Sequence, residues 1–283
     1  MQLITDVQTL HVMVRDMKAH NHTVACVPTM GNLHEGHLEL VRQAKKAGHK
    51  VVVSIFVNPL QFAPGTDFES YPRTLEQDQN LLTQHDVNFL FAPDVREIYP
   101  GDLAQVTKVV VPNLSDILCG EFRPDHFAGV TTVVAKLFHL VEPDVAYFGE
   151  KDFQQLTIIR RMVKDLCFPI DIHGVPTVRE SNGLALSSRN QYLSPQQKQT
   201  AAVIYQMLSH IQEQLSQGSR NYETLEKEGM QRLNDAGLKP EYVSIRQQED
   251  LGLPDTQSTD LVVLAAAWLG PARLIDNVKL SLL

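Results

Sequence analysis

The chain has 283 residues, enough for one large domain or two of ordinary size, and 43% of its residues are hydrophobic. Its formal charge of −8 does not attract nucleic-acid backbones, and Lys and Arg form no dense stripe, so we expect no nucleic-acid partner. The three cysteines, Cys26, Cys119 and Cys167, include no CxxC pair and fit a reducing compartment better than a disulfide framework. We expect each of them to be a small core residue.

The N-terminus and the longest apolar run both argue against a membrane location. Asp6, His11 and Arg15 interrupt the segment where a signal peptide would carry an unbroken apolar stretch. Residues 261–269 form an apolar run far shorter than the roughly 18 residues needed to cross a bilayer. We therefore predict a cytoplasmic protein with no membrane partner.

The first 175 or so residues alternate short β-branched runs with amphipathic segments. Strands are predicted at Thr23–Val27, Lys50–Val57, Asn88–Phe91, Val145–Phe148 and Ile170–Pro176. Helices are predicted at Gly36–Ala47, Thr74–His85, Phe127–Val141 and Phe153–Leu166. This alternation implies right-handed crossovers and a parallel sheet, so we expect an α/β, Rossmann-like domain over residues 1–176.

The pattern changes from about Thr177 onward. Ser194 and Pro195 suit the start of a helix that runs through Leu215, and Gly237 is placed to end a second helix over Tyr222–Ala236. Extended runs follow at Glu241–Arg246, Leu261–Leu269 and Ala272–Val278. We therefore predict a smaller α+β domain over residues 177–283.

The segment from Pro28 to His37, PTMGNLHEGH, follows the first predicted strand and opens a helix. In open α/β sheets this is the end of the strands that binds ligands. His34 and His37 share one helical face, while Gly31 can adopt a turn conformation and Gly36 allows a ligand close to the backbone. The N–H groups of the helix N-terminus suit phosphate. An ordinary surface pair of histidines remains an alternative.

A zinc site is a second alternative for this segment. Metalloprotease helices use HExxH, which places two imidazoles four residues apart. Here the spacing is three residues, and no cysteine or clustered third histidine is nearby in the sequence.

Three further polar segments follow strands or begin the smaller domain. FVNPLQF carries the amides Asn58 and Gln61, which can bind hydroxyls and a carboxylate or can be satisfied loop amides. In FGEKDFQQ, Lys151 suits phosphate and Asp152 suits ribose hydroxyls, unless the segment is only a solvated charge run. LSSRN offers hydroxyls and Arg189 to β and γ phosphates, or forms an ordinary turn with a helix cap.

Together, PTMGNLHEGH, FVNPLQF, FGEKDFQQL, GLALSSRN and the late AAWLGPARLIDN resemble the pantothenate synthetases over nearly the whole chain. HxGH itself is shared by nucleotidyltransferases and class I aminoacyl-tRNA synthetases, which cleave ATP between the α and β phosphates. The family resemblance implies a Rossmann-type domain with a C-terminal lid, a homodimer, ATP with Mg²⁺, and the substrates pantoate and β-alanine. Two details differ from the expected pattern: SNG at 181–183, where an acidic residue is expected before the glycine, and RPDH at 123–126, where RPGH is commoner.

The resemblance also implies roles for individual residues. The resemblance implies His37 as proton donor and places Gln61 and Gln155 at pantoate, with Gln61 also near β-alanine. From the residues themselves we predict that His34 and Lys151 are catalytic, because they can neutralise phosphate charge, and that the amide of Asn58 binds substrate. The ATP-binding residues that the resemblance implies are Met30, Gly31, Asn32, Leu33, His34, Glu35, Gly36, His37, Gly149, Glu150, Lys151, Asp152, Val178, Leu186, Ser187, Ser188 and Arg189. No protein ligand for the metal is predicted.

The predicted activity is a ligase reaction through an acyl adenylate, with the smaller domain as a lid and residues 174–180 as its hinge. Three alternatives remain. A nucleotidyltransferase would keep the nucleotide in its product, a tRNA synthetase would normally carry an anticodon-binding region, and a non-catalytic protein would bind ATP without turnover.

Overall fold

The first part of the chain alternates strands and helices, as its sequence predicts. The computed structural model describes residues 1–62, 68–69 and 71–282. Its strands here are β1 Gln2–Ile4, β2 Val24–Thr29, β3 Lys50–Ile55, β4 Phe89–Phe91, β5 Val145–Gly149 and β6 Asp171–Val175. The helices are α1 Val7–Ala19, α2 Glu35–Lys46, α3 Leu75–Gln84, α4 Val95–Ile98, α5 Cys119–Phe122, α6 His126–Val141 and α7 Phe153–Asp165. Short 3-10 helices occupy Pro59–Gln61, Leu103–Gln105 and Glu150–Asp152.

The strands of this part form one parallel sheet. Within the described residues the sheet has six strands in the order β1-β4-β3-β2-β5-β6, and each neighbouring pair is parallel. The order reverses between β2 and β5, which pair directly through Ala25 with Val145 and Cys26 with Ala146. The chain segments that follow these two strands, beginning at Met30 and at Glu150, therefore leave from adjacent strand ends. This is the switch point where open α/β sheets bind ligands, and the Rossmann-like α/β prediction is confirmed.

Helix α2 packs on the sheet by the apolar stripe that its sequence predicts. Leu38, Val41 and Ala44 are buried against Val51 and Val53 of the central strand β3. Burial of this stripe fixes the direction of α2, and its first turn therefore lies close to the end of β2.

The N-terminal strand and helix are additions to the predicted elements. Asp6 begins α1 by accepting a hydrogen bond from the Thr9 backbone N–H at 2.8 Å, and that bond lowers the pKa of Asp6. Leu10, Val14 and Met17 form its buried stripe at helical spacing. The signal was present in the sequence as an N-cap followed by an apolar stripe.

The second part of the chain is the predicted α+β structure. Its helices are α8 Pro195–Ala201, α9 Val203–Ser216 and α10 Tyr222–Asp235, and a 3-10 helix covers Ser188–Tyr192. Strands β7 Lys239–Gln247, β8 Asp260–Leu269 and β9 Ala272–Ser281 form an antiparallel sheet in the order β7-β8-β9. The single helix predicted through Leu215 is wrong in one respect: it is interrupted at Ala202, where ψ of −17° tightens the turn between α8 and α9.

The chain folds into two compact units. The first comprises Met1–Glu150 and Ile158–Pro176, and the second comprises Lys151–Thr157 and Thr177–Leu283. That the two units serve as a substrate-binding domain and a lid domain stays a prediction. In the described ranges, no helix combines the length and apolar character that a bilayer span requires.

Candidate functional site

The loop between β2 and α2 has a backbone that only a few residue types adopt. Gly31 has φ +82°, and Asn32 has φ +51°. A Cβ at Gly31 would lie 3.0 Å from Ile55 Cγ2 and 3.1 Å from Asp78 Oδ2. Glycine is therefore required here by both conformation and space, and the loop follows a tightly defined path toward His34.

A buried carboxylate that sequence reasoning missed holds this loop. Asp78 on α3 is 2% exposed, and its two oxygens accept the backbone N–H groups of Asn32 at 2.9 Å and Leu33 at 2.8 Å. The Thr74 hydroxyl donates to the same carboxylate at 3.1 Å. The available signal was spacing, because Asp78 lies four residues before the buried Leu82 on the inner face of a helix that is otherwise polar.

The two predicted catalytic histidines cap α2 reciprocally. The Gly36 N–H donates to His34 Nδ1 at 3.1 Å, and the His34 N–H donates to His37 Nδ1 at 3.3 Å. The imidazole rings lie 4.1 Å apart between centroids. A backbone N–H can only donate, so each Nδ1 is an acceptor and each neutral ring carries its proton on Nε2. The structure thus presents two imidazole N–H donors at a helix N-terminus.

Glu35, which is between them in the predicted ATP loop, is exposed. Its carboxylate pairs with Arg42 Nη2 at 2.9 Å. This places the Glu35 side chain in a surface ion pair, so a contribution of Glu35 to a nucleotide site would come from its backbone.

Asn58 has a fully engaged amide. Its Nδ2 donates to Gln61 Oε1 at 3.1 Å and to the Gly129 carbonyl at 3.0 Å. Its Oδ1 accepts from the Leu60 N–H at 3.3 Å and from the Tyr99 hydroxyl at 2.9 Å. Burial raises the pKa of Tyr99, which keeps its hydroxyl a donor. These contacts favour the satisfied-amide interpretation, in which Asn58 holds Gln61 in place.

Gln61 itself connects three parts of the first unit. Its Nε2 donates to Met30 Sδ at 3.1 Å, and its backbone carbonyl lies 2.9 Å from His126 Nδ1. His126 Nε2 lies 3.1 Å from Arg123 Nη1. Two predicted site residues, Met30 and Gln61, are therefore in contact. Asp125 has φ +62°, a conformation that glycine adopts readily and Asp tolerates, which accounts for RPDH in place of RPGH.

A cavity of about 320 Å³ opens beside Met30 and Gly31. The ends of β3 and β4 and the start of α3 form its other walls. Its volume is at the lower end for small-molecule pockets, which are about 300–1,000 Å³.

Lys151 lies in the 3-10 helix that precedes α7. Its side chain is 19% exposed and pairs with Asp152 Oδ2 at 3.7 Å. The Asn277 side-chain amide donates to the Lys151 carbonyl at 2.9 Å. Gln155 is half-buried on the first turn of α7, and a Cβ placed on Gly149 would meet no described atom within 4 Å.

The remaining predicted nucleotide residues lie on one small hairpin and the turn after it. The Leu186 N–H donates to the Val178 carbonyl at 2.9 Å, so these two predicted residues are neighbours. Ser187 caps the next 3-10 helix, since its hydroxyl accepts from the Arg189 N–H at 3.3 Å. Ser187, Ser188 and Arg189 are all partly exposed, which suits contact with a ligand.

This hairpin is supported by a second pair that sequence reasoning missed. Arg179 binds both carboxylate oxygens of Asp276, and its Nη1 also donates to the Gly183 carbonyl at 3.1 Å. Its guanidinium carbon lies 3.8 Å from the Tyr205 ring centroid. Gly183 has φ +92°, and a Cβ there would lie 2.6 Å from Tyr205. Asn182 takes the place of the expected acidic residue and accepts from the Leu184 N–H.

The three cysteines differ in exposure. Cys26 is fully buried, and burial raises its pKa to about 12. Cys119 is also buried, but Cys167 is exposed on the turn after α7, so the prediction of a core position is wrong for Cys167. Residue 167 has φ +57°, which places it in a turn rather than in packed structure. Within the described residues, no three His, Cys, Asp or Glu side chains form a group that could hold a metal ion.

Comparison with known proteins agrees with the sequence motifs. The family model described as "Pantoate-beta-alanine ligase" matches residues 2–279. The chain is 52% identical to the pantothenate synthetase of Methylococcus capsulatus and 51% identical to that of Nitrosococcus oceani; each match covers 100% of this chain and 99% of the relative.

Solved structures of the same kind superpose closely. The pantothenate synthetase of Thermus thermophilus has a TM-score of 0.91 and 44% identity, covering 98% of this chain and 99% of that one. The pantoate–β-alanine ligase of Francisella tularensis, solved in complex with "Beta-gamma ATP and Beta-alanine", has a TM-score of 0.83 and 33% identity, covering 98% and 97%. The chain therefore belongs to the pantoate–β-alanine ligase family of enzymes.

Proposed function

We propose that the protein condenses pantoate with β-alanine to give pantothenate, at the expense of ATP. In the first step a pantoate carboxylate oxygen attacks the α-phosphorus, the bond to the bridging oxygen breaks, and pyrophosphate leaves. In the second step the amine of β-alanine attacks the acyl carbon of pantoyl adenylate, the bond to AMP breaks, and the nitrogen loses a proton. Neither step needs covalent protein chemistry, so catalysis rests on positioning and charge stabilisation.

The observation that carries this proposal is the reciprocal cap of His34 and His37. Each Nδ1 accepts a backbone N–H, so each Nε2–H is a donor at the positive end of α2. Two such donors suit the oxygens of a triphosphate whose charge grows as pyrophosphate leaves. A neutral imidazole in this tautomer can donate a hydrogen bond, and His37 can also supply the proton that the family resemblance assigns to it.

The other predicted residues take roles that their surroundings support. Lys151 neutralises phosphate charge, and Arg189 with the serines at 187 and 188 holds the pyrophosphate. Asp152 accepts from ribose hydroxyls, while Gln61 and Gln155 bind pantoate. The amide of Asn58, engaged by protein groups, acts by holding Gln61.

The adenylate is hydrolysed readily, so water has to be excluded while β-alanine arrives. We propose that the second unit acts as the lid and that residues 174–180 are its hinge. The hairpin that begins at Thr177 and the turn after it carry five of the proposed nucleotide-binding residues: Val178, Leu186, Ser187, Ser188 and Arg189. Closure of the lid would bring them to ATP.

Magnesium is proposed to arrive with ATP. Mg²⁺ usually keeps several waters and binds phosphate oxygens with one or two carboxylates rather than an all-protein cage. The described residues offer no group of three His, Cys, Asp or Glu ligands, which fits an ion held mainly by phosphates and water. When bound, it neutralises phosphate charge, and we assign no side chain of this chain as its ligand.

We also propose a cytoplasmic homodimer. Sedimentation equilibrium should give a mass twice that of the 31.8 kDa chain. A monomeric mass at micromolar concentration would contradict this part of the proposal.

The deciding experiment is pantoate-dependent exchange of labelled pyrophosphate into ATP. Exchange should require pantoate, and AMP should be released only when β-alanine is added. Exchange without pantoate would favour a nucleotidyltransferase. ATP binding without exchange would favour a non-catalytic protein. Either of these two results would contradict the proposal.

A further inference from the structure

A small cavity in the second unit lies beside Lys151. Its polar wall is formed by Lys151, Ser187, Asn190 and Asp276, and its apolar wall by Leu184, Ala185, Ala201, Ile204, Leu274 and Ile275. Its volume is about 10 Å³, which is close to the minimum for one water molecule. The 3-10 helix before α7, the turn at residues 187–190 and strand β9 all border the cavity.

One polar atom in this wall lacks a partner among the described residues. Asn190 is 5% exposed, and no described donor reaches its Oδ1. Its Nδ2 donates to the Ala185 carbonyl at 3.0 Å, which fixes the orientation of the amide. Because buried polar groups are nearly always hydrogen-bonded, we expect a donor to Asn190 Oδ1.

Asp276 supplies a second acceptor in the same wall. It is 5% exposed and is bound by Arg179. Burial raises the pKa of Asp276, while the hydrogen bond and charge of Arg179, the Asn277 N–H and the charge of Lys151 act in the opposite direction. The carboxylate is therefore within electrostatic reach of Lys151.

Asn277, the next residue of β9, holds Lys151 by its backbone. Its Nδ2 donates to the Lys151 carbonyl at 2.9 Å, across 126 residues of sequence. Asp276 and Asn277 are the last two residues of AAWLGPARLIDN, a segment that matched the family pattern without receiving a role. Both act on the same lysine.

We propose that the cavity holds one ordered water molecule, and that this water and the Asn277 amide together position Lys151. The water donates to Asn190 Oδ1 and to the Asp276 carboxylate, and it accepts from the ammonium of Lys151. A sodium or potassium ion cannot accept, and the positive charge of Lys151 would repel it. Asn190, Asp276 and Asn277 are thus positioning residues, and this inference rests on the proposed role of Lys151.

The water is tested by a crystal structure of the protein at a resolution that shows ordered solvent. Density for one water within hydrogen-bond distance of Asn190 Oδ1 and Asp276 supports the inference. An empty cavity, or one filled by a rotated side chain, overturns it.

The positioning role is tested by a double-mutant cycle. Asn277→Ala should slow pantoate-dependent pyrophosphate exchange by about 10- to 100-fold, because small misplacements of a catalytic group are costly. In a Lys151→Ala background the same change should have almost no further effect, since both act through one group. Losses that multiply would overturn the inference.

Gln248→Ala is the matched control, because Gln248 also uses a side-chain amide to hold backbone carbonyls in the second unit, those of Leu261 and Leu280. It should lower thermal stability as Asn277→Ala does, yet leave exchange unchanged. If Asn277→Ala does not fold, Asn277→Leu, which keeps a side chain of similar size but has no donor, takes its place. Absence of exchange in the unaltered protein would refute the proposed function instead, and the two failures are therefore distinguishable.

Discussion

The β2–α2 loop and the Lys151 segment are built in opposite ways. In the loop, each histidine ring accepts a nearby backbone N–H: His34 that of Gly36, two residues away, and His37 that of His34, three residues away. Lys151 is held by Asn277, which is 126 residues further along the chain. A local motif can carry its own geometry, whereas a lone lysine depends on the fold that surrounds it.

The two regions differ in how their reactive residues are held in place, not in how much those residues contribute to the reaction. The loop also needs one distant group, Asp78, which is 45 residues from Leu33, but that group acts on the backbone before the histidines. The Lys151 support acts on the reactive residue itself. Substitutions should therefore distinguish three kinds of residue. Those that react with the substrates should affect activity alone, those that support the loop should affect activity and stability, and those that only stabilise a unit should affect stability alone.

The largest effects should come from the reactive groups. We expect His37→Ala and Lys151→Ala each to slow adenylate formation by about 100- to 1,000-fold, the usual cost of removing a group that stabilises transition-state charge. Single-turnover rates measure this directly, with His210→Ala and Lys164→Ala as exposed controls. Rates near those of the unaltered protein in both variants would refute the assigned roles.

His37→Gln sharpens the same prediction. Glutamine is a normal third residue of a capping box and can still accept the His34 N–H. The variant should therefore keep the melting temperature of the unaltered protein but lose most of its activity. A variant that is both stable and active would show that His37 serves only as a cap.

The next largest effect should follow from Asp78→Asn. An amide cannot accept on both of its polar atoms, so one loop N–H loses its partner, which costs about 1–3 kcal/mol of folding free energy. Because the loop aims both histidines, adenylate formation should fall by about 10- to 100-fold. Chemical denaturation and exchange assays measure the two losses.

Asp144→Ala is the control for that variant, since an asparagine at position 144 could still accept the one N–H involved. Asp144 also accepts a backbone N–H, that of Val24, but it does so at the opposite end of the sheet, where β2 begins. It should lose stability without losing activity. Equal loss of activity in both variants would mean that Asp78 supports the fold in general rather than the loop.

The sequence predicted the parallel sheet, the α+β second part and the residues of the loop because all three depend on local periodicity or on a contiguous motif. Element ends agree to within two or three residues, as for helix α2, predicted to begin at Gly36 and observed from Glu35. The helix broken at Ala202 was not predictable, since its sequence is helical on both sides of the break.

The residues that sequence reasoning missed share one property. Asp78 and Asp276 are buried, Arg179 is half-buried, and all three have partners that are remote in the sequence. A single sequence does not reveal which distant segments meet. For the same reason Asn58 was predicted as a substrate ligand, although its amide is engaged by Gln61, Gly129 and Tyr99. Only the fold could have shown this.

Alanine substitution at two glycines, Gly31 and Gly48, is a milder test of how precisely the loop must be placed. Gly31 and Gly48 have nearly the same φ, +82° and +81°, but a Cβ meets close neighbours only at Gly31. Gly48→Ala should cost about 1–2 kcal/mol from its backbone conformation alone. Gly31→Ala should cost more and should also slow adenylate formation about tenfold, because a shifted loop moves both histidines. Similar activity in the two variants would show that the loop tolerates displacement.

The smallest effect concerns a histidine in the first unit that lies outside the site. Burial lowers the pKa of His49, the charge of His173 adds to that shift, and Asp144 opposes it. The folded protein therefore binds a proton at His49 less readily than the unfolded chain does. The stability contribution of neutral His49 is present above about pH 6.5, the ordinary value for histidine, and is lost as pH falls through the lowered value.

His49→Gln should flatten this part of the stability profile by a small amount, as measured by urea denaturation between pH 5 and 8. His210→Gln, at an exposed position in the second unit, should leave the profile unchanged. An unchanged profile in His49→Gln would show that burial of His49 does not contribute to the pH dependence of stability.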